Sequence, residues 1–207
     1  MVVLTGGPGA GKTALLEIAR RTLGPRIAVL PEAASILFSG GFWRHSSIPG
    51  RKAGQRAIFH VQREQEQMVL EEQESSFVLC DRGTLDGLAY WPDDEQSFWR
   101  ELGTQREAEF RRYHAVIHLR TPDASHGYNH QNPLRIEDAV KAQAIDERIM
   151  SAWEGHPNRQ IINSTDDFLL KVNIAMSLIQ SFLPAGPIPE LSPLPKGSCA
   201  EPCERVV

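Results

Sequence analysis

The 207-residue chain carries 26 acidic against 22 basic side chains, for a formal charge of -4, and 41% of it is hydrophobic. That length buries one substantial core and is short for two, and the acidic balance excludes the strongly basic footprint of a general nucleic-acid binder. Cys80, Cys199 and Cys203 make no even disulfide framework, no apolar run reaches bilayer length, and Met1 leads straight into the first strand, so a soluble, cytoplasmic protein without a transmembrane segment is expected.

In chain order, Val2 to Thr5 reads as a strand and runs into Gly6-Gly7-Pro8-Gly9-Ala10-Gly11-Lys12-Thr13, which fits the pattern G-x-x-x-x-G-K-[ST] at every fixed position. Glycines let successive amides turn inward around an anion. Lys12 can reach the β- and γ-phosphates, Thr13 can place its hydroxyl on Mg²⁺, and the helix that opens there aims its positive end at the phosphates. The implied ligand is a nucleoside triphosphate, ATP or alternatively GTP, with Mg²⁺. Ala14 to Arg21 supplies the helix, with Leu15, Ile18, Ala19 and Thr22 on one face.

Ile27 to Leu30 reads as the second strand, followed by Pro31-Glu32-Ala33. Glu32 can lie across a cleft from the γ-phosphate and accept a proton from an acceptor hydroxyl; equally, Pro followed by Glu is a common helix opening. From Ala33 to Arg63 there is no acid, while Arg44, His45, Arg51, Lys52, Arg56 and Arg63 gather among Phe42, Trp43 and Phe59. This is either an anion-facing surface with aromatic faces for stacking or a solvated loop. Arg44, Arg56, Phe59, Gln62 and, further on, Asp86 are the candidate acceptor contacts. A helix over Ala53 to Glu74 is predicted to turn Ile58, Val61, Met68 and Val69 to the core.

Phe77 to Cys80 reads as a buried third strand ending in Asp81-Arg82-Gly83. A carboxylate at the carboxyl end of such a strand is placed to hold Mg²⁺, and Arg82 to meet the transferred phosphate; an ordinary turn with a surface ion pair is the other reading. A helix is expected over Asp94 to Arg112 and a fourth strand over Ala115 to Leu119. Arg120-Thr121-Pro122 then enters a His-, Asn- and Gly-rich stretch up to Pro133 and Arg135, the pattern of a closing lid that brings Arg120 and Arg135 onto the phosphates. His126 and His130 read as exposed loop histidines. Ile136 to Trp153 reads as a helix, Gln160 to Ile162 as the fifth strand and Asp166 to Phe182 as the last helix. Asn163 is either its cap or, with Asp166, part of a guanine-recognition spacing that lacks the usual Lys. From Pro184 six prolines fall among few large apolar residues, and Cys199 and Cys203 there lack partners for a closed zinc site.

Alternating β and helical patterns predict an α/β fold: a P-loop NTPase with a five-stranded parallel sheet, helices on both faces, a kinase-like lid and a proline-rich C-terminal tail, divided as a domain at 1-183 and a tail at 184-207. Gly6 to Thr13, Pro31-Glu32-Ala33, Asp81-Arg82-Gly83 with Asp86 and Tyr90, and the Arg120 to Arg135 region make the chain resemble, over about residues 1-182, the AAA-domain family of predicted ATPases and kinases that includes nicotinamide-riboside-kinase-like and TRPL-translocation-defect-like proteins. More distantly it is similar to deoxynucleoside kinases. That resemblance implies Glu32 as general base, Asp81 as the magnesium acid and Arg82 as a phosphate contact, although Gly83 stands where deoxynucleoside kinases usually carry Ser. No second-domain helices with a sensor arginine follow, which argues against a ring-forming remodelling ATPase. Three functions are consistent with these residues: a small-molecule kinase passing the γ-phosphate to a hydroxyl acceptor, an ATP- or GTP-dependent switch meeting a protein or anionic lipid, and a regulatory component that docks through its tail.

Overall fold

All five predicted strands form one parallel sheet in the order β2-β3-β1-β4-β5. They are β1 (Val2–Thr5), β2 (Ala28–Leu30), β3 (Val78–Asp81), β4 (Ala115–Leu119) and β5 (Arg159–Ile162) in a computed structural model that describes residues 1–72, 75–122, 139–165 and 167–184. Every residue of β1 and β4 is buried, as expected of central parallel strands covered on both faces.

The helices are α1 (Lys12–Leu23), α2 (Ala33–Ser39), α3 (Ile48–Glu72), α4 (Asp86–Tyr90), α5 (Glu95–Leu102), α6 (Arg106–Phe110), α7 (Ala139–Ala152) and α8 (Phe168–Ser181). Val2, Leu4, Leu79 and Ile117 pack with α1 and α8 on one side of the sheet. Val3, Cys80 and Val116 pack with α4, α7 and Trp153 on the other. A third cluster of Phe59, Trp91, Phe98 and Leu102 joins α3 to α5.

Register places the chemistry. Leu4 pairs with Asp81 and Thr5 with His118, so the loop leaving β1 emerges between the carboxyl ends of β3 and β4. Leu30 pairs with Cys80, which brings Glu32 to the same edge.

Several elements differ from expectation. α1 buries Leu16 and Leu23 rather than Thr22, which faces solvent. α3 begins five residues early, at Ile48, because the Ser47 hydroxyl accepts from the Gly50 amide at 3.2 Å and Pro49 needs no partner in a first turn. Its buried stripe is Phe59, Gln62 and Glu66, whereas Met68 is 50% exposed. The helix expected over Asp94 to Arg112 is two helices, because Gly103 takes a left-handed φ of 64° and caps α5. The cap of α8 is Asp167, not Asn163: its carboxylate accepts from the amides of Leu169 and Leu170. Asp166, the start of the lid helix at Ile136, both loop histidines, Arg135 and all of the tail beyond Pro184 lie outside the described residues. No helix among the described residues is long and apolar enough to cross a membrane.

Candidate active site

The glycine-rich loop has φ values of +135° at Gly6, +77° at Gly9 and +96° at Gly11, a region that a Cβ disfavours. At Gly6 packing adds a second reason, since a Cβ would stand 2.1 Å from the Leu119 carbonyl oxygen. The loop is tied from outside: the Gly7 amide donates to Asp146 of α7 at 2.7 Å, and the Thr121 hydroxyl donates to the Pro8 carbonyl. The buried Lys12 ammonium donates to the carbonyls of Gly6 and Gly7 at 2.7 and 2.8 Å.

Across from the loop, Arg82 is the single non-glycine residue with positive φ among the described residues, at +77°. A left-handed L-residue costs about 1 kcal/mol or more, and such strain persists only where contacts over-determine it. Here they do. Its amide donates to the Leu4 carbonyl at 3.0 Å, Nε donates to Glu32, Nη1 donates to Asp86 at 3.2 Å, and the guanidinium lies 5.9 Å from the Tyr90 ring centre. Asp86 is itself fixed by the Thr5 hydroxyl at 2.6 Å and the Trp153 indole N–H at 2.7 Å. Both oxygens of the Asp86 carboxylate are thus engaged, by Thr5, Arg82 and Trp153.

Glu32 occupies the N-cap position of α2, so the helix-opening geometry and the ion pair coexist in one residue. Burial by itself raises its pKa, but the Arg82 charge, a hydrogen bond from Ser35 and the Lys12 charge outweigh that and hold the carboxyl at about 2 against an ordinary 4.5. Because the folded value is the lower one, Glu32 contributes stability that is complete above pH 4.5 and is lost as the pH falls toward 2. Thermal unfolding followed across that window should therefore fall less steeply for Glu32→Gln than for the wild type. Equal slopes would remove Glu32 from the acid response. Asp81 is shifted the other way: burial, with Glu32 and Asp86 adding, raises it against the charges of Lys12 and Arg82. A carboxyl so placed gains from an added cation.

A cavity of about 900 Å³ opens in front of these groups between α2 and α3. Thr13, Glu32, Asp81, Arg82, Arg44, Phe59, Gln62 and Asp86 all line it. Arg56 does not; it pairs with Glu101 of α5 at 2.7 Å. Arg120 is also held away from the cavity, its Nε 3.2 Å from Asp146 and its Nη2 donating to Glu147. The Gln62 amide nitrogen is committed to Glu66 at 2.8 Å, inside a network behind the Arg82 turn in which Tyr113 donates to Glu66 and Thr84 donates to Glu109.

Residues that carry no sequence signal complete the site. His118 Nε2 and Asp146 Oδ1 are 2.9 Å apart, and Lys171 of α8 donates to the carbonyls of Ala10 at 3.0 Å and Arg120 at 2.6 Å. Burial lowers the Lys171 pKa to about 8, with Asp146 opposing. Trp153 could not be foreseen either: it closes on Asp86 from 67 positions away.

The donor set suits Mg²⁺. Thr13 and Asp81 both line the cavity and offer hard oxygens, and no group of three or more His, Cys, Asp or Glu placed to hold a metal ion by itself occurs among the described residues. Magnesium is ordinarily held by one or two side chains together with nucleotide phosphates and water.

The architecture matches that of a deoxyadenosine kinase from M. mycoides solved with bound dATP, with a TM-score of 0.61 and 13% identity over 86% of this chain and 98% of that one. At that identity the likeness is one of fold, a P-loop kinase fold. None of the curated proteins matches the chain. The family model described as AAA domain matches residues 1–168, which include the loop, Glu32, Asp81, Arg82 and all of α7, and the chain belongs to that AAA-domain family.

Proposed function

We propose that the protein is a MgATP-dependent small-molecule kinase. The observation that carries this reading is the Glu32–Arg82 pair, set in one cavity with Thr13 and Asp81 and with room beyond it for an acceptor. A site for hydrolysis or switching alone has no use for that room. The deoxyadenosine kinase likeness supports the same reading.

In this mechanism the loop amides and Lys12 hold the β- and γ-phosphates. Thr13 and Asp81 would hold Mg²⁺, which supplies charge neutralisation on the phosphate oxygens. The acceptor hydroxyl attacks the γ-phosphorus in line, the bond to the bridging oxygen of ADP breaks, and the hydroxyl proton passes to Glu32. A carboxylate held at about 2 is a weak base, yet the group that weakens it most is Arg82. The transferring phosphoryl attracts that guanidinium, and as Arg82 turns toward it Glu32 recovers basicity when it is needed. The binding energy of the phosphate thus sets the strength of the base.

Glu32→Gln is expected to keep nucleotide affinity and to lose about 10²-fold or more of acceptor-dependent ADP release, the scale of general base catalysis. The assay is incubation with MgATP and a panel of nucleosides, ribosylated cofactors, sugars and small alcohols. Unchanged turnover in the variant removes the base assignment, and ADP release that no acceptor stimulates removes the kinase reading.

A further inference from the structure

The basic stretch from Ala33 to Arg63 contains no acid, and the fold sorts its cations into two groups. Lys52 pairs with Asp93 and Glu101 at 2.7 Å each, Arg56 with Glu101 at 2.7 Å, and Arg63 with Glu109 at 3.1 Å. All of these partners come from α5, α6 and the segment just before α5, and neither these three cations nor their acids line the cavity. Arg44 and Arg51, which line the cavity, have no carboxylate within ion-pair distance among the described residues. Arg44 lies over the Phe38 ring at 4.2 Å, and Arg51 donates to the Tyr90 carbonyl at 3.1 Å.

These two cations stand at the far end from the chemistry. Phe38 is six residues along α2 from Glu32, a rise of about 9 Å, and Arg51 is eleven residues before Gln62 on α3, a rise of about 16 Å. Gln62 touches the Arg82 carbonyl, so α3 runs from the reaction end to Arg51. Between the two ends the walls are Ile58, Phe59, Phe38 and Tyr90. The carboxylates of the cavity do not compensate Arg44 and Arg51: Glu17 pairs with Arg21, Glu32 and Asp86 with Arg82, and Asp81 lies at the phosphate end.

We infer that the acceptor carries an anionic group of its own, a phosphate monoester or carboxylate, bound by Arg44 and Arg51 at the outer end of the cavity, with its reacting hydroxyl at Glu32 and an apolar or planar part between. This rests on the kinase reading of the same site. Guanidinium groups suit either anion, because their paired N–H donors match two oxygens. His45 lies beside them on the cavity wall, edge-on to the exposed Trp43 with ring centres 4.6 Å apart.

The test uses the full chain saturated with Mg²⁺ and a non-hydrolysable ATP analogue, so that the loop is filled. Matched ligands are titrated by calorimetry: adenosine against adenosine 3′-monophosphate, and glycerol against glycerol 3-phosphate and glycerate. The anionic member of at least one set should bind about tenfold tighter or more, the scale of one charge-assisted contact. Arg44→Gln/Arg51→Gln should erase that preference, while Arg56→Gln, which removes a neighbouring charge outside the cavity, should leave it. Absence of any preference, or equal loss in the Arg56 variant, overturns the inference. Acceptor-dependent ADP release in MgATP separates the two readings. Transfer to neutral members alone sinks the anionic acceptor and leaves the kinase. Anion binding that depends on Arg44 and Arg51 without any rise in ADP release upholds the anion site and sinks the kinase.

Discussion

Arg82→Met is expected to cost about 3 to 5 kcal/mol of folding stability, the scale for removing one partner of a buried ion pair. The residue serves two carboxylates at once, and both Glu32 and Asp86 would keep their burial while losing their countercharge. Part of that cost is returned because Glu32, freed from Arg82, can take up a proton nearer neutral pH, so the loss should be smaller in mild acid than at pH 7. Methionine retains most of the side-chain volume, which keeps the comparison one of charge. Phosphoryl transfer should fall by about 10³-fold, the lower end of what an arginine facing a transferring phosphate contributes. Chemical denaturation at pH 7 and at pH 5, alongside the ADP-release assay, measures both. A variant as stable as the wild type at both values would mean that the guanidinium is a surface ornament of the turn, contrary to its contacts.

Gly83→Ser carries the second large effect, and its origin is steric. A Cβ at this position would lie 2.6 Å from Cζ2 and 2.9 Å from Cη2 of Trp153, and 3.0 Å from Cγ2 of Val3. The indole cannot yield easily, since it is fully buried, stacks with Phe110 at 6.2 Å between centres and meets Tyr113 edge-on at 5.4 Å. Overpacking of this kind costs about 1 to 3 kcal/mol. The strain also travels, because the Trp153 N–H that fixes Asp86 would be displaced and Arg82 would lose its orientation. We expect a lower unfolding temperature together with reduced turnover in the protein that remains folded. The resemblance to deoxynucleoside kinases made Gly83 look like a departure from pattern; its packing neighbour Trp153, 70 positions on in the chain, is the reason a serine does not fit. A serine variant with the wild-type melting temperature would show that Trp153 has room to move.

What the sequence disclosed and what it hid divide along the range of the interactions. The glycine-rich loop, the buried strands and the acid-arginine step after β3 are written in consecutive residues, and each was legible. Glu66 reads as a surface glutamate on a charged helix, yet it is fully buried, because Tyr113 and Arg112 arrive some 46 positions later to satisfy it. That network is why the core face of α3 turned out polar and why Met68 points outward. Arg56 looked like an anion contact because nothing acidic was near it in sequence; its acid, Glu101, comes from another helix. The break at Gly103 was locally signalled and passed over, a glycine in the middle of a helical pattern, as were the Ser47-Ile48-Pro49 opening of α3 and the Asp167 cap of α8.

Asp146 holds two structures with one side chain: the loop through the Gly7 amide, and Arg120 at the end of β4 through its other oxygen. Since Asp146 belongs to α7, the placement of that helix and the shape of the phosphate loop are coupled through this side chain. Linkage then runs in both directions. Any ligand whose binding displaces α7 must change nucleotide affinity, and the nucleotide must change the affinity for that ligand by the same factor.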